Sequence, residues 1–385
     1  MLDINSRRTL TAIIYLSVIG PCVFILQPGF VQGLVEQLRL SEQQAGYVAS
    51  AEMWGIAATT VALVFTAGRY SWRRITVACL LLSGLGNFAC IGQTDPFALM
   101  VLRFAVGLGS GGIISLTFTM AGLTARSDRN FGYIIVWVLS YGAAGLVLMP
   151  AAYAHIGMAG VLVIFGLFCL SGLAFVRALP DSGEAHADTR RRYDYEAWLR
   201  IATLVAVLLY NVGIGIVWTY LFLVGTQAGM PEQDVANVLT VSQVLGIAGA
   251  FCAVLFETRF GRLLPLAIGI LGGAASVYLL LGTVTSREYW LGVCGFNLLW
   301  NVTMPYYLAT AGDFDARKQT VVYAVAMQML GLAGGPLLAA WLLAHGGYNV
   351  VNGTAILVLI ASAIAFLPGV IAQLRRHRKI TIDAA

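Results

Sequence analysis

The sequence predicts an all-α integral membrane protein that crosses the bilayer with twelve transmembrane helices, arranged as two six-helix pseudo-repeats. Three observations predict this class. The composition is 59% hydrophobic and only 11% charged, with a mean hydropathy of +0.82, whereas soluble domains carry about 25% charged residues. Apolar stretches of helix length recur along the whole chain. The basic residues between these stretches fall almost entirely on one side.

The twelve apolar stretches are each about 18 to 26 residues long, which is enough for a helix to cross a hydrocarbon core of about 30 Å. A transmembrane barrel is excluded, because its strands would be alternating segments of about ten residues. The predicted spans are residues 10–34, 44–66, 75–92, 97–122, 132–154, 158–177, 199–224, 235–256, 263–284, 289–311, 320–344 and 350–373.

Basic residues indicate the orientation of these spans. Of the 23 Lys and Arg residues, twenty lie in alternate gaps and in the two tails, on one side of the predicted bilayer. Arg39 and Arg287 lie on the other side, and Arg103 lies inside a span. The positive-inside rule then places both termini in the cytoplasm, as an even number of spans requires. We attribute the net charge of +5 to this orientation, and we expect no nucleic-acid partner.

The chain reads as two related halves. Residues 179–197 are the longest polar stretch and predict a cytoplasmic linker between a six-helix bundle over residues 1–178 and a second bundle over residues 198–385. Basic turns follow spans 2 and 8, and aligning Arg69 with Arg259 gives an offset of 190 residues. Spans 5 and 11 also share a pattern of glycines followed by proline, at Gly142, Gly145 and Pro150, and at Gly331, Gly334, Gly335 and Pro336.

With this layout the chain resembles the major facilitator superfamily over nearly its full length. The resemblance rests on the six-plus-six spans, on the basic turns after spans 2 and 8, and on Arg103 followed by Gly107 and Gly109 in span 4. The family's turn motif, GxLaDRxGRR, lacks its aspartate here, because Gly68 and Thr258 stand at that position. The resemblance implies two bundles that rock about a central cavity lined by spans 1, 4, 7 and 10, with the substrate site between the repeats.

Two charged residues, Glu52 and Arg103, lie well inside the spans. A charge at the centre of a membrane helix costs at least about 2.5–3.5 kcal/mol, so both residues need a reason to be there. At 1.5 Å per residue they lie roughly 12 and 9 Å from the same face, so we expect them to pair.

The pair has two interpretations. A substrate anion that displaced Glu52 from Arg103 would leave a buried carboxylate that favours its protonated form, and the pair would couple transport to protons. Alternatively, the pair is static and fixes span 2 against span 4. The resemblance implies a role for Arg103 in proton or substrate handling. Because span 1 carries Gln27 and Gln32 where many family members have an acid, Glu52 is the only membrane-embedded candidate for the proton.

Amide and aromatic side chains at the depth of the expected cavity complete a candidate substrate site. Amides both donate and accept hydrogen bonds, and aromatic walls suit a partly apolar solute. Asn297 and Asn301 are four residues apart and therefore share a helix face. The candidate substrate-binding residues are Gln27, Arg103, Asn211, Trp218, Tyr220, Asn297, Trp300, Asn301 and Gln328.

Charged residues in the cytoplasmic turns form a second group. The resemblance suggests that salt bridges between these turns hold an inner gate shut, although solvated loop charges would look the same. The gate candidates are Arg69, Arg73, Asp128, Arg259, Arg262, Asp313 and Asp315.

The sequence thus predicts a monomeric multi-pass transporter of the bacterial inner membrane that moves a small organic solute, with an organic or aromatic anion favoured, by alternating access coupled to protons. A drug/proton efflux antiporter is the alternative. The alternatives from other classes are a solute sensor and a membrane-embedded transferase using Asp313 and Asp315. We expect no catalytic residue, metal or cofactor, because no acid or His cluster with ligand spacing occurs in the sequence.

Overall fold

The computed structural model describes residues 4–66, 70–182, 196–256, 261–314 and 319–383. These residues form twelve α-helices and one 3-10 helix, Gly172–Ala178, and contain no strand. The α-helices are α1 (Arg7–Ile19), α2 (Cys22–Ile25), α3 (Gln27–Leu38), α4 (Glu42–Thr66), α5 (Trp72–Ala89), α6 (Pro96–Gly122), α7 (Ser127–Ser171), α8 (Ala197–Gln227), α9 (Glu232–Phe256), α10 (Leu263–Tyr278), α11 (Ser286–Gly312) and α12 (Gln319–Asp383).

The helices reproduce the twelve predicted crossings. Helices α7 and α12, of 45 and 65 residues, each cover two predicted spans, since a glycine in the left-handed conformation breaks them at Gly157 and Gly347. A 45-residue helix rises about 68 Å, enough for two crossings of about 30 Å. Within the described residues, five segments are long and apolar enough to cross a membrane by length and composition alone, and parts of α7 and α12 are among them.

The first span is interrupted at the Gly20-Pro21 pair. Helix α1 ends at Ile19, the four-residue α2 follows Pro21, and α3 starts after Leu26. Pro28 is tolerated in the first turn of α3, where a backbone N–H has no partner inside the helix. The interruption leaves backbone carbonyls near the middle of the membrane free to accept hydrogen bonds from neighbouring helices.

The turns confirm that the chain is duplicated. Three first-half residues adopt a left-handed backbone conformation in the turns between crossings, and each has a left-handed counterpart in the second half that is numbered 190 higher. The same offset relates the N-cap residues Asp95 and Thr285. It is also the offset predicted from the basic turns. The pairs are Arg39 with Gly229, Gly92 with Gly282, and Gly157 with Gly347.

The two halves meet on one side of the protein. We call the face where α1 begins and α12 ends the terminal face, and the face with the three pairs of left-handed turns the distal face. In the described part of the chain, every hydrogen bond between the halves lies in the distal half or near the midplane. These bonds join Gln27 to Thr219, Gln32 to Glu232, Ser50 to Ala333, Trp218 to Phe24, Tyr220 to Glu42, Gln233 to Val147 and Thr240 to Ala143. The structure is therefore closed toward the distal face.

Candidate functional site

Backbone packing of α4 against α6 positions the two embedded charges. Gly107 lies against the carbonyl oxygen of Glu52, and Gly55 lies against the carbonyl oxygen of Phe104, so that a Cβ at either glycine would overlap the opposite backbone. Small residues allow this close approach of membrane helices. The approach places the side chain of Glu52 next to that of Arg103.

The structure brings Glu52 and Arg103 into a buried ion pair. The Nη2 and Nε atoms of Arg103 donate to Oε2 of Glu52 at 2.6 and 3.1 Å. Nη1 of Arg103 donates to Oδ1 of Asn87 at 2.7 Å, and the ring of Phe30 lies 4.8 Å from the guanidinium carbon. Arg103 is fully buried and Glu52 is 3% exposed. The guanidinium thus has its charge paired, a third donor satisfied and an aromatic face against it.

The described partners of this pair all belong to the first half. Glu52, Asn87 and Phe30 lie on α4, α5 and α3, and none of them comes from α8–α12. In this conformation the pair is buried, and its described partners belong to the first bundle. A substrate anion would reach Arg103 only after these helices rearrange.

The second half carries a neutral network at the equivalent place. Residue 242, which is 190 positions after Glu52, is a serine, and the counterpart of Arg103 is Val293. Ser242 Oγ donates to the carbonyl of Leu239 at 2.7 Å and accepts from Nδ2 of Asn297 at 3.0 Å. A hydroxyl and an amide thus replace the ion pair.

This network extends into a chain of amides with one open end. Nδ2 of Asn301 donates to Oδ1 of Asn297 at 2.8 Å, and Nδ2 of Asn297 also approaches Oε1 of Gln243 at 3.3 Å. Nε2 of Gln243 is buried and has no hydrogen-bond partner among the described residues. It lies against Gly142 of α7, where the halves meet. The chain of amides therefore ends in a hydrogen-bond donor, Nε2 of Gln243, that has no acceptor among the described residues.

Four aromatic side chains gather beside this chain of amides. We call Phe24, Trp218, Phe296 and Trp300 the aromatic group. Trp300 lies at its centre, with ring centroids 5.8 to 6.4 Å from the other three. Nε1 of Trp218 donates to the carbonyl of Phe24 at 3.0 Å, in the interruption of the first span. Trp300 and Asn301 are only half-buried.

The remaining predicted binding residues are dispersed. Gln27 and Tyr220 bond across the junction, to Thr219 and to the carbonyl of Glu42. Asn211 bonds within α8, to the carbonyl of Val207, and its Oδ1 has no partner among the described residues. Gln328 is half-buried on α12.

Some of the predicted gate residues are in contact at the terminal face. Arg262 pairs with Asp313 at 2.6 Å, within the second half, and its Nη1 also donates to the carbonyl of Ala309. Nε of Arg73 donates to the carbonyl of Leu179 at 2.7 Å. Arg69, Arg259 and Asp315 lie outside the described residues, as does the side chain of Asp128.

Sequence reasoning missed several participants. Asn87 and Phe30 complete the surroundings of Arg103, Gln243 ends the amide chain, and Phe24 belongs to the aromatic group. Two signals were available. The offset of 190 maps Glu52 onto Ser242, next to Gln243, and an amide in an otherwise apolar span marks a buried polar contact.

A repeated helical protein whose polar side chains converge between its two halves has the construction of a membrane carrier. The chain belongs to the Major Facilitator Superfamily, because the model of that family matches residues 12–334.

Curated relatives cover most of the chain. It is 26% identical to the 3-(3-hydroxy-phenyl)propionate transporter of Escherichia coli (strain K12), with 87% of each chain covered. It is 25% identical to the putative niacin/nicotinamide transporter NiaP of Bacillus subtilis (strain 168), over 88% of this chain and 90% of that one. It is 23% identical to the multidrug resistance protein MdtL of Shewanella oneidensis, over 78% of each.

Two solved structures share the fold. A point mutant of the nucleoside transporter NupG superposes with a TM-score of 0.76 at 12% identity, covering 94% of this chain and 99% of its own. The D-xylose-proton symporter superposes with a TM-score of 0.69 at 15% identity, covering 92% and 96%. The protein is a multi-pass transporter of small solutes in the bacterial inner membrane and not an enzyme, so the transferase alternative is set aside.

Proposed function

We propose that this protein carries a small aromatic carboxylate across the inner membrane by alternating access coupled to protons, with both termini in the cytoplasm. The observation that carries the proposal is the half-buried Trp300 at the centre of the aromatic group, beside the amide chain of Asn301, Asn297 and Gln243. A flat apolar ring suits the aromatic group. A carboxylate oxygen suits the open donor of Gln243.

The relatives support the same class of cargo. Niacin and 3-(3-hydroxyphenyl)propionate, which appear in the names of two relatives, are both aromatic rings bearing a carboxylate. An anion bound by neutral amides needs no cation at the junction, which fits the enclosure of Arg103 inside the first bundle.

Proton coupling would depend on the Glu52–Arg103 pair. In this conformation the carboxylate of Glu52 accepts two hydrogen bonds from Arg103, and charge-assisted bonds of this kind are strong. Separation of α4 from α6 would leave the carboxylate unpaired in an apolar interior, where the protonated form is favoured. The proton would therefore bind in a conformation other than this distal-closed one. The buried pair as a purely static brace remains the competing interpretation.

Uptake into proteoliposomes tests this function. Purified protein with an acidic exterior should accumulate labelled niacin or 3-(3-hydroxyphenyl)propionate, and a protonophore should abolish accumulation while leaving exchange. Benzoate should compete and xylose should not. Absence of both uptake and exchange for every aromatic acid tried would reject the proposed cargo, and binding without flux would favour a solute sensor.

A drug/proton antiporter is the second candidate, favoured by the similarity to the multidrug resistance protein MdtL. An efflux carrier would protect a drug-hypersensitive host and would release a proton inward for each drug expelled. Resistance conferred on such a host, without uptake of aromatic acids, would decide for the antiporter.

A further inference from the structure

A pair of carboxyl groups joins the two halves near the distal face, away from the site described above. Glu36 lies near the end of α3, two residues beyond the predicted first span, and Glu232 begins α9. The two carboxyl groups are near enough for Glu232 to act on the pKa of Glu36. Gln32, one turn before Glu36, donates its Nε2 to Oε1 of Glu232 at 3.3 Å. One acid comes from each bundle, so the contact exists only while the distal face is closed.

A hydrogen bond between the two carboxyl groups requires a proton. Two ionised carboxylates offer only acceptors, so a hydrogen bond between them forms only when one is protonated. The hydrogen bond to Glu232, together with partial burial and the nearby negative charge, raises the pKa of Glu36 to about 7, although Gln32 and Arg39 act in the opposite direction.

The amide of Gln32 also indicates a bound donor. Gln32 is 2% exposed, and its Oε1 is buried with no hydrogen-bond partner among the described residues. Its Nε2 is already committed to Glu232. A protonated carboxyl group is a donor that the free oxygen can accept from.

Other titratable groups surround the pair. Asp234 shares the first turn of α9 with Glu232, and Arg39 caps α3. Tyr153 and His155 stand on α7, where Tyr153 donates to the carbonyl of Gly29 and His155 bonds to its own helix. Glu42 begins α4, the next helix packed on α3. Of these groups, Arg39 is the one that acts directly on the charge of Glu36.

We infer that Glu36 and Glu232 form a proton-binding site that holds the distal face closed while one proton is bound. Opening separates the two acids, and each then behaves as an ordinary carboxyl group. The inference goes beyond the proposed function, because it involves neither the cargo nor Glu52.

The direction of the pH effect on distal closure follows from the proton affinities of the closed and open states. The closed state binds the proton with a pKa of about 7, whereas a separated glutamate has a pKa of about 4.3. Between these values, the ratio of closed to open protein falls as the pH rises, by at most tenfold per pH unit for one proton. Above about pH 7 the ratio no longer depends on this site.

Distance measurements between spin labels test the site without any substrate. Gln93 and Thr283 are exposed in the equivalent distal turns of the two halves, so cysteines introduced there in an otherwise cysteine-free chain report the opening of this face. In nanodiscs, the closed population should fall several-fold between pH 5 and pH 7.5. Glu36→Gln should abolish this dependence, because an amide donates to Glu232 at every pH.

Two further variants complete the test. Asp234→Asn removes an exposed acid from the same turn and should keep the wild-type pH response. Glu232→Gln should behave like Glu36→Gln, which guards against a folding defect in one variant. The proposed proton site would be wrong if the closed population of both glutamine variants kept the wild-type pH dependence. It would also be wrong if Asp234→Asn alone lost that dependence. Neither result would bear on whether aromatic acids are carried.

Discussion

Glu52 and Ser242 occupy equivalent positions 190 residues apart, and only Glu52 is bonded to a cation. The two halves share their turns and helix order. The same framework therefore holds an ion pair in one bundle and a hydroxyl–amide network in the other. This asymmetry suggests a division of roles, in which the first bundle handles the proton and the second offers neutral donors to the solute.

Replacement of Glu52 by Gln tests the coupling role. The amide keeps the shape of the side chain but cannot be protonated, so we expect accumulation driven by a pH gradient to disappear while exchange across equal concentrations persists. Both are measured in proteoliposomes. Glu42→Gln on the same helix is the control, because Tyr220 bonds to the backbone carbonyl of Glu42. Unchanged accumulation in Glu52→Gln would leave the pair as a static brace.

Removal of Arg103 tests the energetics of the pair. Arg103→Ala leaves the carboxylate of Glu52 buried without a partner, which costs roughly 3–5 kcal/mol for comparable pairs. The double variant Glu52→Leu, Arg103→Met removes both charges and should be clearly more stable than Arg103→Ala. Thermal unfolding in one detergent compares the three proteins. If the double variant is no more stable than the single one, the cost does not arise from the unpaired charge.

Gly107 tests the backbone contact that positions the pair. Gly107→Ala places a methyl group on the carbonyl of Glu52, and overpacking of this kind costs about 1–3 kcal/mol. Gly353→Ala is the matched control, because a Cβ there has no neighbour within 4 Å and alanine favours the helix by up to about 1 kcal/mol. Thermal unfolding should show a lower midpoint for Gly107→Ala alone. Equal midpoints would mean that α4 and α6 separate easily.

Trp300 tests the site of the solute. Trp300→Leu removes the centre of the aromatic group, and the loss of about 0.5–1.5 kcal/mol of aromatic contact predicts a rise in KM of up to about tenfold. Transport of an aromatic acid should show this rise with a smaller change in kcat. Trp290→Leu on the same helix removes a partly exposed tryptophan near the distal end and should leave KM unchanged. A similar rise in KM in both variants would mean that the solute does not bind at Trp300.

Hydropathy and charge were sufficient to predict the crossings and their duplication. Apolar length marked each span, and the short gap between predicted spans 5 and 6 contains Gly157, where α7 breaks. The pairing of Glu52 with Arg103 also followed from sequence, because both lie at a similar depth and neither charge is tolerated alone in lipid.

The direction in which each side chain points could not be predicted from hydropathy and charge. The rotation of a membrane helix about its axis is set by packing against its neighbours, so depth alone did not show that Arg103 faces Asn87 and Phe30 inside the first bundle. For the same reason, Gln27 and Tyr220 were expected to line the cavity, and the structure places them in bonds that join the halves.

Arg39 is the one described residue other than glycine with a positive φ, 58°, and Gly229 is its counterpart. An L side chain in this conformation costs about 1–2 kcal/mol, so Arg39→Gly should relax the turn. It should also remove a cation that weakens proton binding at Glu36, and spin-label distances should then show the distal face staying closed to a higher pH. The backbone strain of Arg39 and the pH dependence of distal opening are thus linked through one residue. Arg39→Gly would relieve the strain and would also raise the pH at which the two bundles separate.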